Sequence, residues 1–234
     1  MKRLAVLLAL VMTVGLVGCG NSDTQSKTET KSETKEETTT EEAFEGAYVV
    51  NADYVKENLD DIILVDARGE DAANKETIKG AIPIAWQYLA TCEDGKSGDA
   101  NWGCILDTER LSERLGEKGL DPNKEIVLFA AAQNGWGDDG RIAWELIAAG
   151  YKDVKMVDGG FDALKEAGIE TAKGGSEPKA VDVKIDSIDT THVINTDELK
   201  ANYDDYKVVD VRADEEYDGE TLYGEAKGGH LPGA

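Results

Sequence analysis

The segment from Glu125 to Gly160 constrains the fold of this chain more than any other. It begins with a short apolar run, residues 126–129, which is typical of a strand buried on both faces. A polar loop with three glycines leads into residues 141–149, which have helical periodicity, and a second apolar run follows at 154–157. This order predicts a βαβ unit whose loop lies at the carboxyl end of the first strand, where open α/β sheets bind ligands.

The chain before this unit shows the same alternation of helix and strand. Asn51 is suited to cap a helix, and residues 62–65 form an apolar run typical of a strand. Asp107 or Thr108 is expected to cap a further helix that ends near Gly119. We therefore predict an α/β fold with a mostly parallel sheet and helices on both faces. The residues expected in its core are Ile63, Val65, Ile82, Leu111, Leu115, Val127, Phe129, Ile142, Leu146, Val154 and Val157.

A second, partial copy of the first elements follows the βαβ unit. Residues 48–68 align without a gap with residues 192–212. The second copy has no counterpart of residues 82–172, so we expect the chain to be a fragment of a longer protein. The predicted organisation is a first domain at 44–172, a linker at 173–190 rich in glycine and polar residues, and the start of a second domain at 191–234.

The N-terminus carries signals for export. Residues 1–18 combine two basic residues with an apolar stretch too short for a membrane span, which indicates a signal peptide. The sequence around Cys19, LVGC, resembles a bacterial lipobox, so we expect this cysteine to be lipidated. Residues 19–43, rich in Ser, Thr and Glu, are expected to form a disordered acidic tether. The predicted location is the extracytoplasmic face of a bacterial cell membrane, with the bilayer as a partner.

Charge and cysteine content exclude other classes. A formal net charge of −23 argues against nucleic-acid binding. Cys92 and Cys104 share one polar segment, and outside the cytoplasm such a pair is expected to form a disulfide, with two unpaired thiols as the alternative. The two histidines, His192 and His230, lie far from them in sequence, so neither a metal site nor a cofactor is expected.

Several motifs, in this order and spacing, resemble a rhodanese (sulfurtransferase) domain. They are Val65-Asp66-Ala67-Arg68, the arginine at the start of the helix after the loop, Arg141, and Val157-Asp158-Gly159-Gly160-Phe161. The second copy is similar to the family at its Val209-Asp210-Val211-Arg212 and His230-Leu231-Pro232-Gly233-Ala234 segments. The whole resembles an exported tandem-rhodanese lipoprotein of the thiosulfate or mercaptopyruvate sulfurtransferase type.

The resemblance implies a cysteine chemistry that the first copy cannot perform. In the family, a cysteine at the end of the central strand carries sulfane sulfur as a persulfide, held by loop N–H groups and an arginine. Here Ala130 stands at the cysteine position, and ten residues separate it from Arg141, more than in the short active loop of the family. This pattern resembles the non-catalytic first domain of tandem rhodaneses, which packs against the second. The catalytic cysteine is then expected beyond Ala234, and the substrate is a small sulfur compound.

Other residues receive roles from the same resemblance. Arg141 and Trp136 are candidates for substrate binding; the alternatives are that Arg141 bonds loop carbonyls and that Trp136 is buried against the second domain. Structural roles are expected for Asp66, Arg68, Asp210, Arg212 and His230.

Alternative functions remain open from the sequence. The main one is a catalytically silent rhodanese-fold binding or scaffold module. A solute-binding lipoprotein is disfavoured by the tandem repeat, and a phosphatase of related fold would need a cysteine–arginine loop. Cys92 and Cys104 are poor nucleophile candidates, because both precede a predicted helix instead of following a buried strand.

Overall fold

The structure is a computed structural model that describes residues 46–133 and 135–234. The predicted signal peptide, the tether and Cys19 lie outside the described residues. The elements, in chain order, are β1 (Val49–Val50), α1 (Ala52–Asn58), β2 (Ile63–Asp66), α2 (Glu70–Ala73), β3 (Thr77–Ile78), β4 (Ile82–Pro83), a 3₁₀ turn (Trp86–Leu89), α3 (Thr108–Glu117), β5 (Ile126–Phe129), α4 (Asp138–Ala148), β6 (Val154–Val157), α5 (Gly160–Glu166), β7 (Thr171–Ala172), α6 (Thr196–Ala201), a second 3₁₀ turn (Tyr203–Asp205) and α7 (Asp214–Asp218). No helix in this part of the chain is long and apolar enough to cross a membrane.

The main sheet has five parallel strands in the order β1-β6-β5-β2-β4. Strand β5 lies at its centre and pairs with β2 on one side and β6 on the other. Strands β3 and β7 form a separate antiparallel pair. The predicted α/β fold with a mostly parallel sheet is therefore confirmed.

Helices cover both faces of the sheet. Helices α3 and α4 pack on one face, where Leu111 and Leu146 join a core that includes Leu128 of β5. Helices α1 and α5 pack on the other, where Val55 and Leu164 meet Phe129. Alternate residues of β5 thus enter different cores, which explains why the strand reads as a continuous apolar run. The predicted core residues are all buried except Ile63, which is partly exposed and packs against the first core.

Helix ends follow the polar residues that the sequence suggests. The side chain of Asn51 accepts a hydrogen bond from the Tyr54 N–H at 2.8 Å, and that of Asp107 accepts from the Arg110 N–H at 2.9 Å. Helix α4 begins at Asp138, three residues before the predicted start at Arg141.

The residues predicted as a linker contain no helix or strand, but many of them lie against the first domain. We call residues 174–189 the strap. Its Val181 N–H donates to the Gly116 carbonyl of α3 at 3.0 Å, and its Asp189 N–H donates to the Ala148 carbonyl of α4 at 2.8 Å. Ile185 is buried in the core under these helices. The strap is thus part of the first domain's packing.

The second copy repeats local features of the first without its sheet. Asn195 caps α6 as Asn51 caps α1, with its side chain accepting from the Glu198 N–H at 2.9 Å. Val209 corresponds to the fully buried Val65 of β2, yet its exposed fraction is 69%. Residues 208–211 form no strand, because the described chain supplies no neighbouring strands and no apolar face for them.

Candidate functional site at the end of strand β5

The position directly after β5 is occupied by Ala130, and backbone closes over it. Its carbonyl accepts a hydrogen bond from the Phe161 N–H at 2.9 Å. Gly160 approaches so closely that a Cβ there would lie 2.2 Å from the same oxygen. Ala130 is 2% exposed and carries only a methyl group, so this position offers no nucleophile.

The loop after Ala130 ends at Gly137, whose φ of 73° starts α4 from a left-handed conformation. Asp138 and Asp139 occupy the first turn of the helix, where carboxylates interact favourably with the helix dipole. Burial raises the pKa of both, and the neighbouring Asp139 raises that of Asp138 further. Both are therefore acidic groups at the N-terminus of a helix.

Arg141 is held in place on several sides. Its Nε donates to Glu145 Oε1 at 2.9 Å, and its Nη2 donates to the Gly103 carbonyl at 2.8 Å. Its guanidinium carbon lies 5.5 Å from the ring centroid of Trp86 and 5.1 Å from that of Trp144. The side chain remains 32% exposed. The guanidinium is therefore oriented by neighbours and still accessible from one side.

Glu145 is the carboxylate partner of Arg141 and lies on the buried side of α4. Its side chain is fully buried, and burial raises its pKa to about 7 against the opposing effect of Arg141. Among the described residues, its Oε2 has no hydrogen-bond partner. The sequence analysis missed Glu145; its spacing of four from Arg141 signals a helix ion pair, but nothing in the sequence signals its burial.

A cavity opens above Arg141, and we call it the tryptophan pocket. Its volume is about 310 Å³. The lining residues are Trp86, Trp102, Gly103, Trp136, Gly137, Asp138 and Arg141. Trp86 and Trp102 meet edge to face, with centroids 5.8 Å apart and planes at 87°. The structure thus brings the two predicted binding candidates, Arg141 and Trp136, into one pocket, together with two tryptophans that the sequence analysis did not single out as site residues.

Cys92 and Cys104 are free thiols in the structure, so the disulfide expected from the sequence is not formed there. The Cys104 thiol is exposed and instead donates to the Ala100 carbonyl at 3.8 Å. Cys92 is half-buried, and burial is the main reason that its pKa is raised. A raised pKa disfavours the thiolate that a nucleophile requires.

Asp66 and Arg68 form an ion pair at the end of the neighbouring strand β2. The pair is closed by Thr77, whose hydroxyl donates to Asp66 Oδ2 at 2.6 Å, and by the Glu76 carbonyl, which accepts from Arg68 Nη2 at 2.9 Å. The Arg68 guanidinium also lies 3.8 Å from the Phe161 ring centroid. All of these contacts are internal to the domain.

The second copy contains the equivalent arrangement at its surface. Arg212 Nη2 donates to Asp210 Oδ2 at 2.6 Å and to the Gly229 carbonyl at 2.9 Å. Chiefly through hydrogen bonds from Arg212, the pKa of Asp210 is lowered to about 2. His230 stacks on Tyr217, with centroids 3.7 Å apart. Between the copies, Trp136 meets Tyr223 at a centroid distance of 4.7 Å.

No cluster of three or more metal-ligating side chains occurs in residues 46–133 and 135–234.

Curated relatives of similar sequence are described as sulfurtransferases. The chain is 25% identical over 177 residues to a putative thiosulfate sulfurtransferase of Mycobacterium leprae, covering 74% of this chain and 61% of that protein. It is 25% identical over 202 residues to a putative thiosulfate sulfurtransferase of Haloferax volcanii, covering 80% and 67%. The chain thus spans less than two thirds of the length of the Mycobacterium leprae relative.

Solved structures share the fold. A 3-mercaptopyruvate sulfotransferase from Escherichia coli, described as having the rhodanese fold, aligns with a TM-score of 0.57 at 20% identity, over 68% of this chain and 63% of its own. A 3-mercaptopyruvate sulfurtransferase from Leishmania major aligns with a TM-score of 0.63 at 18% identity, over 80% and 53%.

The family model of the rhodanese-like domain matches residues 51–167, which run from the cap of α1 to the end of α5. This range includes β5, Ala130, Arg141 and the main sheet apart from β1. On this match, the chain belongs to the rhodanese-like domain family.

Proposed function

We propose that this chain is the first part of an exported, lipid-anchored sulfurtransferase, and that its complete domain is the non-catalytic one. The observation that carries the proposal is Ala130, which places a methyl group where the family's chemistry needs a thiol. Substrates would be thiosulfate or mercaptopyruvate, as for the relatives' described activities.

The reaction belongs to a cysteine in the second copy, beyond Ala234. Its thiolate would attack the outer sulfur of thiosulfate, the sulfur–sulfur bond of thiosulfate would break, and sulfite would leave with the bonding electron pair. A thiophilic acceptor would then take the outer sulfur and regenerate the thiolate. The repeat supports this placement, because Asp210 and Arg212 reproduce the ion pair that follows β2 in the first copy.

The test compares two lengths of the protein. The 234-residue chain and a chain extended through the coding sequence that follows Ala234 are assayed with thiosulfate and cyanide. We expect thiocyanate only from the longer chain, and loss of it when the cysteine after the second copy's central strand is changed to serine. Turnover by the 234-residue chain would refute the assignment.

A binding or scaffold module is the second candidate, and the tryptophan pocket favours it. Such a module would bind a ligand or partner without transferring sulfur. A longer chain that lacks a cysteine at the equivalent strand end, and that yields no thiocyanate, would support this alternative.

Export and lipid anchoring form a separate part of the proposal, supported by the LVGC sequence around Cys19. Cells fed a radiolabelled fatty acid should label the protein, and Cys19→Ala should abolish the label and release the protein from the membrane fraction. Labelling of the Cys19→Ala variant would contradict a lipid anchor at this residue.

A further inference from the structure

The tryptophan pocket gathers an unusual share of the chain's aromatic surface. Three of the chain's four tryptophans line it, and the fourth, Trp144, lies against the guanidinium of Arg141 from outside the lining set. The three lining tryptophans come from distant points of the sequence: the 3₁₀ turn, the polar segment before α3 and the loop before α4. The fold therefore builds this concentration of indole rings.

The indoles leave flat apolar walls available to a ligand. Trp136 is 74% exposed, so much of its ring lacks protein contacts. Burying exposed aromatic surface is favourable, and aromatic rings prefer offset-stacked or edge-to-face contacts with one another. Trp86 and Trp102 already stand edge to face, and a flat ring in the pocket could contact these indoles and Trp136. The volume of about 310 Å³ suits one or two fused rings.

Arg141 supplies the positive charge at the pocket. Its Nε and Nη2 are held by Glu145 and Gly103, whereas no hydrogen-bond partner for Nη1 is found in the described part of the chain. A guanidinium is always charged, and this Nη1 can donate to a carboxylate oxygen. Because its neighbours fix its orientation, little further ordering is needed to bind an anion.

The other charged lining residue is Asp138, which occupies the first turn of α4. A cationic ligand could approach this carboxylate, but inside the pocket it would lie beside the permanent charge of Arg141. A carboxylate ligand would instead pair with Arg141 while its ring contacts the indoles. An anionic ligand is therefore expected to bind more tightly than a cationic one of the same shape, and the two affinities can be measured.

We propose that the tryptophan pocket binds a small, flat aromatic or heteroaromatic carboxylate, with the carboxylate on Arg141 and the ring against Trp136 and Trp86. The lining residues belong to the complete domain, Tyr223 of the second copy lies 4.7 Å from Trp136, and the proposal does not depend on the sulfurtransferase assignment.

The experiment uses three probes of one shape: a fluorinated 2-naphthoate, the matching amide and the matching naphthylmethylamine. Fluorine NMR line broadening and shift changes are titrated with the full chain carrying Cys19→Ser. We expect the carboxylate to bind about tenfold more tightly than the amide, since it alone carries a charge opposite to that of Arg141. Equal binding of carboxylate and amide, tighter binding of the amine, or no binding of the carboxylate would overturn the proposal.

Variants locate the binding. Trp136→Ala removes an exposed wall without opening the core and should weaken naphthoate binding about tenfold or more. Tyr48→Ala is the matched control, because Tyr48 is also an exposed aromatic residue, at 58%, and does not line this pocket. Arg141→Lys keeps the positive charge but loses the guanidinium geometry, so the difference in affinity between naphthoate and the amide should become smaller. If Trp136→Ala and Tyr48→Ala both bind naphthoate with the affinity of the unmodified chain, the tryptophan pocket is not the binding site.

Discussion

Arg68 forms a bidentate ion pair with Asp66, donating from Nε to Oδ1 at 2.9 Å and from Nη2 to Oδ2 at 2.7 Å. The Arg68 backbone N–H also donates to Oδ1, at 3.1 Å. With the hydroxyl of Thr77, the buried carboxylate of Asp66 receives four hydrogen bonds. The same three donors of Arg212 reach Asp210, but at the protein surface. The molecule thus contains one motif in two solvent environments.

We predict that Asp66→Asn destabilises the protein strongly and that Asp210→Asn does not. Removing the carboxylate leaves the largely buried Arg68 without its counter-charge, which costs roughly 3–5 kcal/mol. The Asp210 variant leaves a more exposed arginine and should lower the free energy of unfolding much less. Urea unfolding curves of both variants test this. If both variants lost the same free energy of unfolding, burial would not determine how much this ion pair contributes to stability.

Glu145 should make the protein less stable as the pH rises from about 4.5 to about 7. Its pKa is raised by burial from 4.5 to about 7, so in this window the folded chain holds a proton that the unfolded chain has lost. The stability lost is at most about 3 kcal/mol. Glu145→Gln stays neutral and can still accept from Arg141, so the decline should be smaller in this variant.

The measurement is the free energy of unfolding at several pH values for both proteins. Some decline should remain in Glu145→Gln, because burial also raises the pKa values of Asp138 and Asp139. Parallel curves for the two proteins would show that Glu145 is not the group responsible.

Gly116→Ala should detach the strap from α3. A Cβ at Gly116 would lie 2.7 Å from the Val181 carbonyl oxygen, which is backbone and cannot rotate away as a side chain could. The clash should outweigh the gain in helix propensity of about 1 kcal/mol. Hydrogen exchange at the Val181 amide should become faster.

Gly140→Ala is the matched control for this substitution. It also adds a methyl group to a helical glycine, but the nearest atom would be the sulfur of Met156 at 3.9 Å, an ordinary contact. Strap amides should keep their protection in this variant. Unchanged exchange at Val181 in Gly116→Ala would show that the strap tolerates the methyl group.

Cys104 should react with a disulfide reagent roughly tenfold faster than Cys92 at pH 8, since thiol reactivity follows thiolate content and access. Cys104 is exposed, whereas Cys92 is half-buried with a raised pKa. Single-serine variants at each position, in a Cys19→Ser background, give the two rates. Faster reaction of Cys92 would reverse this ordering. A disulfide between Cys92 and Cys104 in an oxidising environment stays a prediction.

The sequence predicted the sheet and its helices well, because these elements bury apolar residues at regular spacing. Strand β5 and helix α3 are examples, with every β5 residue buried and Asp107 at the cap of α3. Helix α2, with four residues, and the strand pair β3–β7, with two residues each, were missed. Elements this short contain no full period of a hydrophobic pattern.

The candidate site was only partly predictable. Ala130 and Arg141 were located by family motifs, which fix positions along the chain. Trp102 joins Arg141 through tertiary folding of a polar segment that has no periodicity, and Trp86 joins it from a 3₁₀ turn of four residues. Burial of Glu145 likewise depends on what packs around α4, and its sequence neighbourhood is that of an ordinary amphipathic helix.

The strap has a mechanical consequence. Its last hydrogen bond to the first domain is made by Asp189, and the second copy begins at His192, so almost no slack chain separates the two. Tension applied to the second copy would reach the Asp189 and Val181 hydrogen bonds and the buried Ile185 before it loaded any strand of the sheet. A displacement of the second copy is therefore transmitted first to α3 and α4, the two helices that the strap contacts through these bonds.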